Sequence, residues 1–195
     1  MPKGRRPSSD TRSRLADEAL TLFLQQGFAA TSVREIAAAA DVTIPALYYH
    51  FESKDGLLGS LVEQLIADGE TVITDLAMRE EDDPIHALTA YYDVVTQHLS
   101  VFRLVMTDPS VRSHEAAGHR LAKQGDRFLS LLIGETPDRD DLIRANAALG
   151  AIRRPLRIDD IDTAKDRRQI LASANAAFHA KTDDSSDPRR HEKPD

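Results

Sequence analysis

From residue 43 to residue 50 the chain reads Thr-Ile-Pro-Ala-Leu-Tyr-Tyr-His, and these side chains at this spacing suit one kind of chemistry. Two phenols and an imidazole are hydrogen-bond donors of the sort that fix phosphate oxygens. Thr43, Ile44, Pro45 and Ala46, at the other end of the run, are small enough to approach base edges or thymine methyls. On a helix, Leu47 and Phe51 stand four apart and share a face, which leaves Thr43, Ile44, Ala46, Tyr48, Tyr49 and His50 largely outside. Bulky rings on a short polar helix make awkward surface unless something covers them, and a nucleic acid would. The plainer account, that the rings only pack the domain together, is strongest for Tyr48.

Other chemistry finds little support. His114-Glu115-Ala116-Ala117-Gly118-His119 resembles a zinc-protease motif, but histidines five apart on a helix diverge by about 140° and cannot share one ion. The absence of cysteine excludes disulfides and thiolate metal sites and suits a reducing compartment. No glycine-rich phosphate loop, nucleophile elbow or pair of catalytic acids emerges. The expectation is a binding protein, not an enzyme, with no metal and no cofactor.

The elements that must position residues 43–50 are helical, because apolar residues recur at helical spacing throughout and no strand alternation is convincing. The expected fold class is all-α. A first helix carries Leu15, Ala19, Leu22 and Phe23 inward and stops at Gly27. Ser32 and Glu35 form a capping box that starts a second helix with Val33, Ile36, Ala37 and Ala40 inward. After Asp41-Val42, Thr43 caps a third helix with Pro45 in its first turn, where a missing amide hydrogen is harmless. Two short helices joined by a tight turn are what insertion into the major groove requires. Ser53 caps a long fourth helix to about Ala77. A run from Ile85 to Met106, bent near His98–Ser100, is closed by Pro109. Further helices cover about 113–133, 139–152 and 162–179.

The formal net charge of −7 looks wrong for a nucleic-acid binder until it is divided: residues 1–14 carry +4, residues 15–54 carry −3 and residues 55–195 carry −8. The division gives a flexible basic arm at 1–10, suited to phosphate or the minor groove or else merely solvated. It is followed by a DNA-binding domain at 11–54, a helical domain at 55–181, and a tail at 182–195 with nothing apolar to pack and expected to be disordered. No stretch approaches the roughly 20 apolar residues of a membrane span, so the reading is of a soluble cytoplasmic protein.

The strings Thr31-Ser32-Val33-Arg34-Glu35-Ile36-Ala37, Ala46-Leu47-Tyr48-Tyr49-His50-Phe51 and Lys54-Asp55-Gly56-Leu57-Leu58 resemble the DNA-binding signature of the tetracycline-repressor (TetR) family over about residues 12–60. The resemblance implies phosphate contacts from Thr31, Ser32, Arg34, Tyr48, Tyr49, His50 and Lys54, and base-facing roles for Thr43, Ile44, Pro45 and Ala46. Two departures stand out. Asp41 occupies a turn where the family usually has glycine, and aspartate reaches left-handed geometry more readily than most residues. Ile44 stands where a small or polar residue is commoner, which bears on the operator sequence.

The resemblance further implies a ligand-responsive transcriptional regulator, most simply a repressor, acting as a homodimer on an inverted-repeat operator and released by a small-molecule effector. In such proteins the last two helices form the subunit interface, here through Ala145, Ala148, Leu149, Ile152, Ile170, Leu171, Ala174, Ala177 and Phe178, which could equally be core. The effector pocket lies within the fourth to seventh helices, with candidates Tyr91, Tyr92, Val95, His98, Phe102, Met106, Phe128 and Leu132. The alternative is a helical adaptor whose aromatic triplet anchors a protein partner.

Overall fold

A computed structural model describes residues 8–79, 83–134 and 136–180, and its described elements are all helical. The chain runs through α1 (Ser8–Gln26), α2 (Val33–Ala39), α3 (Ile44–His50), α4 (Lys54–Ala77), α5 (Pro84–Gln97), α6 (Leu99–Thr107), α7 (Pro109–Arg112), α8 (Glu115–Ile133), α9 (Arg139–Arg153) and α10 (Thr163–Phe178), with a single 3-10 turn at Pro155–Arg157. Because α1 starts at Ser8, the last three residues of the stretch expected as a flexible arm are helical. The rest of that arm, and the tail from 182, lie outside the described residues.

Local chemistry accounts for the boundaries. Gly27 ends α1 at φ +87, a conformation in which a side chain would be strained. The Ser32 hydroxyl accepts from the Glu35 amide at 3.2 Å, while the Glu35 carboxylate accepts from the Ser32 amide at 2.8 Å, completing the capping box. The Ser32 hydroxyl also donates to the Glu35 carboxylate at 2.6 Å, and this bond, then the Ser32 amide, then Gln26 hold the Glu35 carboxyl below its ordinary range. Thr43 and Ser53 cap α3 and α4 through the amides of Ala46 and Gly56. Asp41 has φ +51, so the α2–α3 turn takes the left-handed geometry that aspartate tolerates. The expected bend near His98 is a break between α5 and α6.

Two cores organise the molecule. The first gathers Leu15, Ala19 and Phe23 of α1, Ile36 and Ala37 of α2, Leu47 of α3 and Leu57, Leu58, Val62, Leu65 and Ile66 of α4. It also takes in Leu104 of α6, Val111 of α7 and Ala117 of α8, so the first three helices are packed onto the α6–α8 corner. The second core joins Ile73 of α4 to α5, α8, α9 and α10. The division expected between 54 and 55 thus falls at the start of a helix that both cores share.

Six residues expected at a subunit interface belong to this second core. Ala145, Ala148, Leu149, Ile152, Ile170 and Ala174 are buried within the chain itself, and Leu171, Ala177 and Phe178 are half-buried against the same cluster. Helices α9 and α10 pack on each other and on α5, and each must cover its most apolar stripe inside the chain before it offers anything to a partner. Helical spacing identifies a buried stripe without saying which molecule buries it.

Candidate nucleic-acid interface

Helix α3 divides as its spacing predicts. Leu47 is fully buried and Phe51 nearly so, against a wall that includes half-buried Val42. On the opposite side Tyr49 is 82% exposed, Tyr48 50% and Ile44 40%, with Thr43 and Pro45 also exposed and Ala46 and His50 half-buried. The Tyr49 and His50 rings meet edge to face at 5.1 Å between centroids. The result is a short ridge of donors and small groups standing out from a fixed helix.

Its fixing involves a residue known from the sequence only as part of the basic cluster. Arg12 of α1 donates from Nη1 to the His50 carbonyl at 2.6 Å, and its guanidinium lies 4.2 Å from the centre of the Phe51 ring. A cation at the end of α3 also suits the negative end of the helix dipole.

The flanking positions part company with expectation. Ser32 and Arg34 are exposed, and Arg34 makes no hydrogen bond or ion pair with any described residue, which leaves its guanidinium available to a phosphate. Thr31 is only 2% exposed. Its hydroxyl donates to the Gly27 carbonyl at 2.8 Å and accepts from Gln26 at 3.3 Å, so it pins the α1–α2 loop and its side chain is withdrawn from any phosphate. Lys54 is likewise turned inward: Nζ donates to the carbonyls of Phe28 at 2.8 Å and Thr31 at 2.9 Å and sits 4.4 Å from the centre of the Phe28 ring. Two carbonyls and a ring face offer this ammonium a better local home than solvent, and it acts first as a clamp.

Behind this head lies a cavity of about 390 Å³ lined by α4, α5, α6, α7, α8 and α9. Tyr91, Val95, Phe102, Met106 and Phe128 line it as expected, together with Leu65, Ile73, Gly118, Leu121, Gln124, Asn146 and Arg153. Tyr92, His98 and Leu132 do not. The Tyr92 hydroxyl donates to the Thr163 carbonyl at 2.5 Å and ties α5 to α10, His98 pairs with Asp68 at 2.7 Å on α4, and Leu132 is core. Successive residues of one helix face different ways, and the sequence alone does not fix which side of α5 meets the cavity. Nor did the apolar pattern mark the polar wall residues Gln124, Asn146 and Arg153.

The corner between α6 and α8 touches both cavity and head. Arg112 and Gly118 line the cavity. A few residues away, the Asp108 carboxylate accepts from the Phe28 amide at 2.6 Å and His114 Nε2 pairs with Asp55 at 2.8 Å. His114 also caps α8 by accepting from the Ala117 amide, whereas His119 is exposed, so the two histidines have separate surroundings. On the far side, α9 and α10 leave a shallow groove of about 770 Å³ with Ala147, Gly150, Ala151, Arg154, Gln169 and Ser173 along it. No helix among the described residues is long and apolar enough to cross a membrane.

The architecture is thus a helix-turn-helix head with an exposed α3 carried on a helical domain. Residues 15–61 match the family described as bacterial regulatory proteins, tetR family. The chain is similar to the HTH-type transcriptional regulator AcrR of Shigella flexneri, with 44% identity over 61 residues that cover 31% of this chain and 28% of that one. It is also similar to the HTH-type transcriptional repressor KstR2 of Rhodococcus jostii, with 32% identity over 115 residues, 48% of this chain and 56% of the other. The chain spans about half or less of the length of the curated relatives it matches. Its fold matches the crystal structure of a transcriptional regulator from Aquifex aeolicus with a TM-score of 0.66 at 18% identity, covering 86% of this chain and 99% of that one.

Proposed function

We propose that the chain is a cytoplasmic, ligand-responsive transcriptional repressor that binds an inverted-repeat operator as a homodimer and has no enzymatic role. The observation that carries this reading is the α3 ridge: Tyr49, Tyr48 and Ile44 stand exposed on a helix whose other face is locked by Leu47 and Phe51. Large apolar and aromatic groups left uncovered on a rigid helix mark a contact surface. Thr43, Ile44, Pro45 and Ala46 face bases at the N-terminal end, while Tyr48, Tyr49, His50, Ser32 and Arg34 hold phosphates and fix register. Lys54 acts on DNA through the loop it clamps.

Dimerisation uses the outer side of α9 and α10, where small exposed residues such as Ala147 and Ser173 flank the groove and allow close approach of a second copy. The cavity holds the effector. Its occupation displaces the α7–α8 corner, and through Asp108 and His114 that movement changes the angle of the head, so that the effector favours a dimer whose two recognition helices are wrongly spaced.

Selection of bound sequences from random DNA tests the reading. An inverted repeat with half-sites about one DNA turn apart, bound with an affinity that falls steeply with salt, is expected. Recovery of no sequence preference, or an affinity indifferent to salt, would overturn it in favour of a protein-binding adaptor.

A further inference from the structure

The cavity wall carries an uncompensated cation. Arg153, the last residue of α9, is half-buried; its Nε donates to the Tyr91 hydroxyl at 2.7 Å and its guanidinium lies 5.3 Å from the centre of the Tyr91 ring. It pairs with no carboxylate among the described residues, and its two Nη groups make no hydrogen bond there. The end of α9 favours a cation at this position but supplies no acceptor for those groups. Of the other charged residues on the wall, Arg112 and Asp126 are exposed, and neither pairs with Arg153.

Tyr91 is equally incomplete. Its oxygen accepts from Arg153, while its own proton is donated to no described residue. Burial raises the phenol above its ordinary value of 10.0 against the lowering influence of Arg153, so it keeps that proton at neutral pH. Elsewhere the wall is mostly apolar, with Ile73, Val95, Phe102, Phe128 and Leu149 beside the neutral amides of Gln124 and Asn146. Unspent donors beside an apolar chamber make a receptor for an anion attached to an apolar body, since charge-assisted bonds from a guanidinium fork are strong and geometrically selective.

We infer that the effector is an amphipathic organic acid, its carboxylate or sulfonate held by Arg153 Nη and the Tyr91 hydroxyl and its apolar body held by the cavity. This rests on the reading of the cavity as the effector site. The shared chemistry is an oxyanion on a ring or chain of hydrocarbon.

Two fluorescent probes with the same ring system separate the possibilities: 1-anilinonaphthalene-8-sulfonate and the uncharged N-phenyl-1-naphthylamine, titrated into the intact protein. The sulfonate is expected to bind about tenfold or more tightly than the uncharged ring, as hydrogen bonds to a charged group imply. That preference should vanish in Arg153→Gln, fall partway in Arg153→Lys and weaken in Tyr91→Phe. Equal binding of the two probes, or a preference that survives Arg153→Gln, overturns the anion receptor and leaves the cavity reading standing. Binding of neither probe overturns the cavity reading, and the inference with it. A shared loss of signal in all three variants with altered thermal melting would mark unfolding. In that case displacement of the wild-type-bound uncharged ring by dodecanoate, but not by dodecanol, decides the question: selective displacement supports the inference and indifferent displacement sinks it.

Discussion

The Asp108 carboxylate accepts the backbone amide of Phe28 at 2.6 Å, joining the start of α7 to the loop after α1 across 80 residues of sequence. The same carboxylate takes the Ser110 amide at 2.8 Å and the Ser110 hydroxyl at 2.6 Å. Burial pushes this carboxyl up, yet the bonds from the Ser110 hydroxyl and from the amides of Phe28, Ser110 and Val111 together outweigh it and leave Asp108 below its ordinary value of 3.8. A folded value below the unfolded one means that stability is present above the unfolded value and lost as pH falls through the folded one. Asp108→Ala should therefore destabilise the chain by about 1–3 kcal/mol at neutral pH, because the Phe28 amide loses its acceptor. The deficit relative to wild type should shrink as the solution is acidified below 3.8, and denaturant melts at neutral and acid pH check both statements.

Arg34 and Lys54, alike as cations, should fail in different ways. Arg34→Ala removes an exposed guanidinium that no described residue engages, so the melt should stay within about 0.5 kcal/mol while the slope of log affinity against log salt falls by about one. Lys54→Met leaves the Phe28 and Thr31 carbonyls without their donor and should lower stability by about 1–2 kcal/mol before any effect on DNA is considered. Fluorescence anisotropy with a labelled operator at several salt concentrations, alongside thermal melts, separates the two. A Lys54→Met chain as stable as wild type would contradict the clamp.

Tyr49→Ala removes the most exposed large group of α3 without touching the Leu47 and Phe51 face. Operator affinity should fall by about tenfold with melting unchanged. Tyr48→Ala, at a residue 50% exposed against 82% for Tyr49, should lose less. Unaltered binding in both variants would return the triplet to mere surface.

How much was legible in the sequence follows from the range of the interactions. Ser32, Thr43, Ser53 and Gly27 act on amides and carbonyls within a turn of themselves, so the helix starts and stops and the outward face of α3 could be read from spacing alone. Thr31 and Lys54 look like surface donors until the loop after Gly27 folds back over them, a long-range event with no periodic signature. The same holds for Asp108 and Phe28, 80 residues apart, and for Arg153, whose meaning depends on Tyr91 arriving from another helix. Ala145 and Ala148 show the limit from the other side: helical spacing marked their stripe for burial and left open whether a partner or the chain's own core would cover it, and both are fully buried within this chain.

Gly118 stands where α8 crosses the end of α7, and a β-carbon built there would lie 2.1 Å from the Arg112 carbonyl oxygen. Backbone cannot yield as a flexible side chain would, so Gly118→Ala should force the two helices apart and destabilise by about 1–3 kcal/mol. Since Arg112 and Gly118 line the cavity while Asp108 and His114 hold the head, the variant should also shift operator affinity without any effector present. Gly125→Ala, on the same helix with nothing within 4 Å of the added carbon, is the control and should be neutral or slightly stabilising. Equal behaviour of the two variants would remove the close approach as a coupling point.

The last prediction concerns the outer face of α9. Ala147 is exposed beside the groove between α9 and α10, whereas its neighbour Ala148 is fully buried in the chain's own core. Glutamate at 147 meets solvent in a monomer and an apolar partner surface in a dimer, so Ala147→Glu should leave the helical circular dichroism intact while shifting sedimentation from dimer to monomer. Loss of the second half-site contact should then weaken operator binding by a factor of about 100 or more, because the two heads no longer bind as one unit. Ala148→Glu places a charge where neither solvent nor a partner reaches it and should unfold the chain outright, an effect of several kcal/mol. The contrast between adjacent residues is the measurement: if Ala147→Glu stays dimeric, the subunit interface lies on another surface, and if Ala148→Glu folds and merely dissociates, the assignment of that stripe to the chain's own core is wrong.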